Sequence, residues 1–137
     1  MESDKDWIYK SYHELFSPLV MQFDRSANCY ARYLKNKSYL NAKTLKQANS
    51  EILRLLMDKS SLIPEKLNSD ALLLIDHLDV WFAQFEQLEK ELNPHASSEF
   101  VFYRTAEGTE FPKQSELHFR AMKQQLKQAF SAENNSK

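Results

Sequence analysis

The sequence predicts an all-α fold, an antiparallel bundle of four helices in one domain that spans residues 1–137. Two observations support this prediction. Apolar residues recur at alternating steps of four and three along most of the chain, which is the spacing of helices that bury one face against their neighbours. The chain also has one glycine and four prolines. So few turn-forming residues favour long helices over a sheet with many turns.

The first helix is predicted from about Asp6 to Leu34, and its seam includes Phe16, Val20, Phe23, Ala27, Tyr30 and Leu34. Ser17-Pro18 interrupts this pattern with the signature of a helix start, because serine is a good N-cap and proline fits the first helical position. We therefore expect the first helix to be kinked or to restart near Ser17-Pro18. The polar residues 36–38 end the pattern.

The second and third helices follow the same spacing. The second is predicted from about Tyr39 to Lys59, with a seam of Leu45, Ala48, Ile52 and Leu55. Its short connection to the first helix predicts an antiparallel hairpin. The third, from Leu67 to Leu92, has the widest apolar face and should be the most buried helix. Asn93-Pro94 should end it, since a residue before proline avoids helical geometry.

The segment 93–111 differs from the rest of the chain and is predicted to be an irregular insert or a small β-hairpin. It contains β-branched and aromatic residues and the only glycine. One interpretation is that Phe100 and Phe102 fold back as a lid over one end of the bundle. The other is a binding arm, because loops that a core does not need often bind partners. The candidate partner-binding residues are Phe100, Phe102, Tyr103 and Phe111. A last helix should begin near Pro112, and residues 131–137 should form a loose tail.

The composition predicts a soluble cytoplasmic protein that does not bind membranes. A net charge of −1 argues against a surface built entirely for nucleic acid. The first residues are acidic and lack the apolar core of a signal peptide. No apolar run approaches the length of a membrane span. With one cysteine, Cys29, the chain can form no internal disulfide.

The sequence contains no recognisable catalytic or metal-binding motif, so we expect no enzyme activity and no cofactor. There is no Glu-x-x-His and no glycine-rich phosphate loop. Cys29 lies within the first helix without a histidine at helical spacing, and is expected to be a packed small side chain. His77 lies beside the seam of the third helix, two turns after Asp70. This pair could transfer protons, but the favoured interpretation is a structural histidine at the boundary of the core, hydrogen-bonded to a neighbouring helix.

Positive charge is concentrated in the predicted hairpin 25–54. No acidic residue occurs from Arg25 to Ser50. The candidate basic-surface residues are Arg25, Arg32, Lys35, Lys43 and Arg54. If the two helices pack as a hairpin, these side chains could form one surface, with tyrosines nearby, that contacts phosphates and stacks on bases. The alternative is that they are simply the solvated outer face of two bundle helices.

By elimination, the sequence favours a non-enzymatic protein that acts through protein–protein interaction or self-association. Seventeen aromatic residues support this hypothesis, because tyrosine and tryptophan are favoured at interfaces. An accessory, immunity or antitoxin-like role in a microbial cell fits the size and form of the chain. The first alternative is a nucleic-acid-binding regulator that uses the basic hairpin 25–54. The second is a helical-bundle enzyme or ligand binder centred on His77.

Overall fold

A computed structural model describes residues 4–102 and 111–135, and these residues form an all-α protein. The α-helices are α1 (Asp4–Lys10), α2 (Ser17–Lys35), α3 (Tyr39–Asp58), α4 (Asn68–Leu92) and α5 (Lys113–Asn135). A π-helical segment, Ser11–Phe16, joins α1 to α2, and two 3-10 helices, Ser60–Leu62 and Glu65–Leu67, lie between α3 and α4. Within the described ranges there is no strand, and one isolated antiparallel bridge pairs Ser38 with Glu99.

Of the predicted kink or restart near Ser17-Pro18, the restart does not occur. Ser17 has helical torsion angles, and its N–H donates to the carbonyl oxygen of Tyr12, five residues earlier. Proline has no N–H, and its ring crowds the carbonyl of the preceding turn. The wider π-helical segment gives the ring of Pro18 room in that turn. The helical backbone therefore continues through the proline without a cap.

The other helix boundaries follow the local signals of the sequence. Ser38 caps α3, since its backbone is extended and its hydroxyl accepts a hydrogen bond from the N–H of Asn41 at 3.2 Å. The end of α4 at Leu92 confirms the predicted stop. Asn93 adopts a left-handed conformation, with φ of 42°, which asparagine tolerates better than most residues. None of the helices in the described ranges has the length and hydropathy needed to cross a membrane.

The buried side chains form two cores along the bundle. The first core includes Phe16, Leu19, Ile52, Leu56, Leu74, Leu78, Phe119 and Leu126. The second core comprises Cys29, Tyr33, Ala42, Leu45, Ala48, Trp81, Phe85 and Phe100. The helix α5 contributes Phe119 and Leu126 to the first core, whereas the second core has no residue from α5. In the second core, Phe100 from the segment after α4 partly fills the position that α5 fills in the first core.

The contacts between elements explain this division. The helix α3 packs between α2 and α4, while α5 packs against α1, the π-helical segment, α2 and α4. Phe119 of α5 stacks on Phe16 with ring centroids 5.6 Å apart, and Phe130 near the end of α5 approaches Tyr9 of α1 at 5.6 Å. As α5 proceeds, it therefore moves towards the start of the chain and away from the second core.

Candidate functional site

A cavity of about 620 Å³ lies beside the second core, between α2, α3 and α4. Cavities of this volume commonly hold small organic molecules. Eighteen described residues line it, and seven of them are phenylalanine, tyrosine or tryptophan. Leu45 and Ile52 of α3, and Trp81 and Phe85 of α4, contribute to its walls. The cavity is thus largely apolar and aromatic.

The cavity lies where α5 no longer covers the bundle. Glu116, in the first turn of α5, is the one residue of that helix among the described lining residues. On the other side, Tyr30 and Leu34 of α2 contribute to the lining while keeping about half of their surface exposed. The cavity therefore has an apolar rim on α2 and a charged residue at the start of α5.

The segment after α4 is fastened to the second core by main-chain hydrogen bonds. The N–H of Phe100 donates to the carbonyl oxygen of Lys37 at 2.8 Å, and the N–H of Tyr39 donates to the carbonyl oxygen of Ser98 at 2.8 Å. The hydroxyl of Tyr33 donates to the carbonyl oxygen of Phe100 at 2.6 Å and accepts from the N–H of Phe102 at 2.8 Å. These bonds hold Phe102 at the cavity wall.

One polar pair lines the cavity between α2 and α3. The hydroxyl of Ser26 donates to Oδ1 of Asn49 at 2.7 Å, and Asn49 is 7 % exposed. Within the described part of the chain, the amide nitrogen of Asn49 donates to no residue. This nitrogen is therefore available to donate a hydrogen bond into the cavity.

The second polar group is the carboxylate of Glu116, also 7 % exposed. Its Oε2 accepts hydrogen bonds from Nζ of Lys113 at 3.2 Å and from Nε of Arg120 at 2.6 Å. Arg120 also donates through Nη2 to Asp24 at 2.8 Å. Burial lowers the pKa of the Arg120 guanidinium, but its hydrogen bonds to Glu116 and Asp24 outweigh burial and raise the pKa overall. Oε1 of Glu116 accepts from no residue in the described ranges.

His77 is buried and lines the cavity, with its ring perpendicular to that of Phe111 at a centroid distance of 5.2 Å. The suggested pairing of His77 with Asp70 is wrong. Asp70 instead accepts a hydrogen bond from the hydroxyl of Ser115 and contacts Nδ1 of His118, both at 2.9 Å. Asp70 therefore joins the start of α4 to the start of α5.

The candidate partner-binding residues differ in how deeply they are buried. Phe100 is completely buried, and its ring lies 4.9 Å from that of Phe85. It packs as part of the core, as in the lid interpretation, and has no exposed surface for a partner. Phe102 and Phe111 are partly buried and line the cavity. Tyr103 lies outside the described residues, as do all of residues 103–110 of the predicted insert 93–111.

The candidate basic-surface residues differ in exposure and in their contacts. Arg32, Lys35 and Lys43 are exposed near the turn between α2 and α3. Arg54 instead contacts Glu51 at 2.7 Å and Asp58 at 3.8 Å. Its hydrogen bond to Glu51 is the main reason that its pKa is raised. Arg25 donates to Oε1 of Gln22 at 3.3 Å.

Sequence analysis did not single out Asn49 or Glu116. A signal was present in both cases. Asn49 follows Leu45 by four residues and precedes Ile52 by three, which places a polar amide on the buried face of α3. Glu116 precedes the buried Phe119 by three residues on α5. A polar side chain at a buried helical position is a useful indicator of a site.

Comparisons with family models, with curated proteins and with solved structures find no match to this chain. In the part of the chain that the structure describes, no three histidine, cysteine, aspartate or glutamate side chains are grouped to hold a metal ion. The evidence for function is therefore the cavity and the side chains around it.

Proposed function

We propose that this chain is a non-enzymatic binding protein and that the cavity beside the second core is its ligand site. The observation that carries the proposal is a cavity of about 620 Å³ with three helical walls, next to a closely packed aromatic core. We also propose that the helices form an antiparallel bundle. This is supported by the contacts of Lys59, at the end of α3, with Glu14, and of Tyr39, at the start of α3, with Glu89.

The occupant that best fits the cavity is a small, largely apolar molecule. A ten-residue helix is about 10 Å wide and about 15 Å long and occupies about 1,200 Å³. That is roughly twice the volume of the cavity, whereas small-molecule sites typically measure about 300–1,000 Å³. The volume thus suits a small ligand in the region around His77 and Trp81 and is too small to enclose a partner helix.

A fluorescent apolar probe, phenylnaphthylamine, tests this proposal. We expect saturable binding with one probe per chain. Ala27→Trp should weaken binding about tenfold or more, because Ala27 lines the cavity and an indole would fill it. Ala31→Trp is the matched control, since Ala31 is exposed on the same helix and is not a lining residue. Equal binding by both variants would refute the proposed site.

Self-association is a second candidate function, supported by the outer face of α4. Leu72, Leu73 and Val80 are 59 %, 54 % and 45 % exposed, and exposed apolar side chains on one helix favour contact with another protein surface. Light scattering across a range of concentrations should then detect a dimer. Leu73→Glu should abolish it, whereas Gln47→Glu, at an exposed polar position of α3, should retain it. An accessory, immunity or antitoxin-like role and a cytoplasmic location stay predictions.

Nucleic-acid binding by the hairpin 25–54 has less support, because Arg54 is engaged by two carboxylates. The hypothesis therefore depends on three exposed residues, Arg32, Lys35 and Lys43. If they bind phosphates, Arg32→Glu combined with Lys43→Glu should abolish any salt-sensitive association with RNA. An unchanged association would remove this alternative.

A further inference from the structure

We infer that the cavity binds an organic amine, a molecule with an aromatic or aliphatic body and one protonated nitrogen, and that Glu116 is the charge partner of that nitrogen. The inference rests on the proposed function, since it requires the cavity to be a ligand site. It assigns a chemical class to the ligand and a contact to one oxygen atom.

The first step is the position of the Glu116 carboxylate. Glu116 lines the cavity and is more than nine-tenths buried. Both of its ion pairs, with Lys113 and with Arg120, are made through Oε2. Oε1 accepts from no residue of the described chain. A carboxylate oxygen of a largely buried side chain gains most from a charged donor, and a protonated amine is such a donor.

The second step is the balance of charge around Glu116. Arg120 does not neutralise Glu116 alone, because it also pairs with Asp24 at 2.8 Å. Two carboxylates therefore share the guanidinium of Arg120. Lys113 is largely exposed, with 69 % of its side chain accessible, so solvent screens its contribution. Asp24, with 54 % of its side chain accessible, is screened by solvent in the same way. The two cations and two carboxylates therefore balance, and Oε1 of Glu116 is the oxygen left to accept from an amine.

The third step is the aromatic lining. Cations are attracted to the faces of aromatic rings within about 6 Å of the centroid. The structure already contains one such contact at this wall, since the guanidinium carbon of Arg120 lies 5.7 Å from the ring centroid of Phe23, a lining residue. Trp81 and Tyr30 supply further rings in the lining. These rings suit the apolar body of the ligand and also stabilise its charge.

An anionic ligand fits these observations less well. A carboxylate in the cavity would meet the like charge of Glu116. Among the described lining residues, Lys37 is the only lysine or arginine, and it is exposed beyond the end of α2. A neutral ligand would gain from the aromatic walls but would leave the Oε1 position without a charged donor.

The test compares three ligands that differ in one group: naphthylethylamine, naphthylacetate and ethylnaphthalene. Binding to the full chain is measured by calorimetry at neutral pH. We expect the amine to bind about tenfold or more tightly than either of the others. Glu116→Gln should abolish the difference in affinity between the amine and ethylnaphthalene. Glu65→Gln, an exposed carboxylate outside the cavity lining, is the control and should change nothing.

The outcomes separate this inference from the proposed function. If ethylnaphthalene or naphthylacetate binds as tightly as the amine, and Ala27→Trp blocks that binding, the amine inference fails and the ligand site stands. If none of the three ligands and no phenylnaphthylamine binds, both proposals fail. Should Glu116→Gln not fold, the order of the three affinities in the unmodified chain decides the question.

Discussion

The hydroxyl of Tyr33 donates a hydrogen bond of 2.6 Å to the carbonyl oxygen of Phe100, a residue sixty-seven positions further along the chain. The same hydroxyl oxygen accepts from the N–H of Phe102. One phenol on α2 therefore satisfies two backbone groups of the segment that follows α4. This places Phe100 in the second core and Phe102 at the cavity wall.

Replacing Tyr33 by phenylalanine should lower the free energy of unfolding by about 1–3 kcal/mol, because a buried carbonyl and an amide would lose their partner. Urea denaturation followed by circular dichroism measures the change. Tyr30→Phe is the control. Tyr30 is 46 % exposed, and substitution there should change stability by less than about 0.5 kcal/mol. Equal effects at the two positions would contradict the anchoring role of Tyr33.

Tyr39 should make stability depend on alkaline pH. Its hydrogen bond to Glu89 is the largest cause that raises the pKa of Tyr39 to about 12, with burial and the Glu89 charge adding to it. A folded-state pKa above the unfolded value of about 10 means that the folded protein holds this proton more tightly. The stabilisation is therefore complete below about pH 10 and is lost as the pH rises through about 12.

The measurement is the difference in unfolding free energy between the unmodified chain and Tyr39→Phe, followed from pH 9 to pH 12. Taking the difference cancels the titration of the other tyrosines and the lysines. We expect it to shrink as the pH increases. A difference that stays constant across this range would show that Tyr39 has an ordinary pKa in the folded state.

Phe119 should be the main anchor of α5. It is completely buried, and its ring stacks on Phe16. Phe119→Ala should cost about 3–5 kcal/mol of stability, the usual range for a buried phenylalanine. Leu117→Ala on the same helix should cost little, since Leu117 is 45 % exposed. Thermal unfolding of the two variants compares them directly, and similar melting temperatures would refute the observed packing of α5.

Asp70 should couple α4 to α5 through its bonds to Ser115 and His118. Asp70→Ala leaves the buried hydroxyl of Ser115 without its acceptor and should cost about 1–3 kcal/mol. Asp76→Ala, at an exposed position of α4, should be nearly neutral. A double-mutant cycle with Ser115→Ala isolates the pair, because the second substitution should cost much less once Asp70 is gone. Additive effects would mean that the pair is not coupled.

The helices themselves were predictable because their signals are local. The four-three spacing from Leu67 to Leu92 matches α4, the polar residues 36–38 mark the turn before α3, and Asn93-Pro94 marks the end of α4. The path around Pro18 was not predictable in the same way. Serine before proline fits both a new helix start and a continuous helix, and the choice depends on packing on both sides of Ser17.

The site was harder to predict from the sequence than the helices were, because its geometry depends on where whole helices dock. Periodicity shows that α5 has an apolar face. It does not show that this face packs against the first core and leaves the second core uncovered. Nothing in the spacing of Asp70 indicates that its partner is His118 on α5 rather than His77, two turns further along α4. Among the described residues that line the cavity, Glu116 alone comes from α5, so the cavity lies at the edge of the region that α5 covers.

The late position of α5 in the chain has a kinetic consequence. The hydrogen bond from Ser26 to Asn49, between α2 and α3, closes a loop of 23 residues, whereas the polar bonds from α5 to α4 and α2 span 45, 48 and 96 residues. Longer loops lose more entropy on closure and form contacts more slowly. The helix α5 should therefore dock last during folding and detach first in partial unfolding, as hydrogen exchange would detect. Glu116 leaves the cavity wall when α5 detaches. The dissociation rate of a bound molecule would therefore be limited by the opening of a helix rather than by the rotation of a side chain.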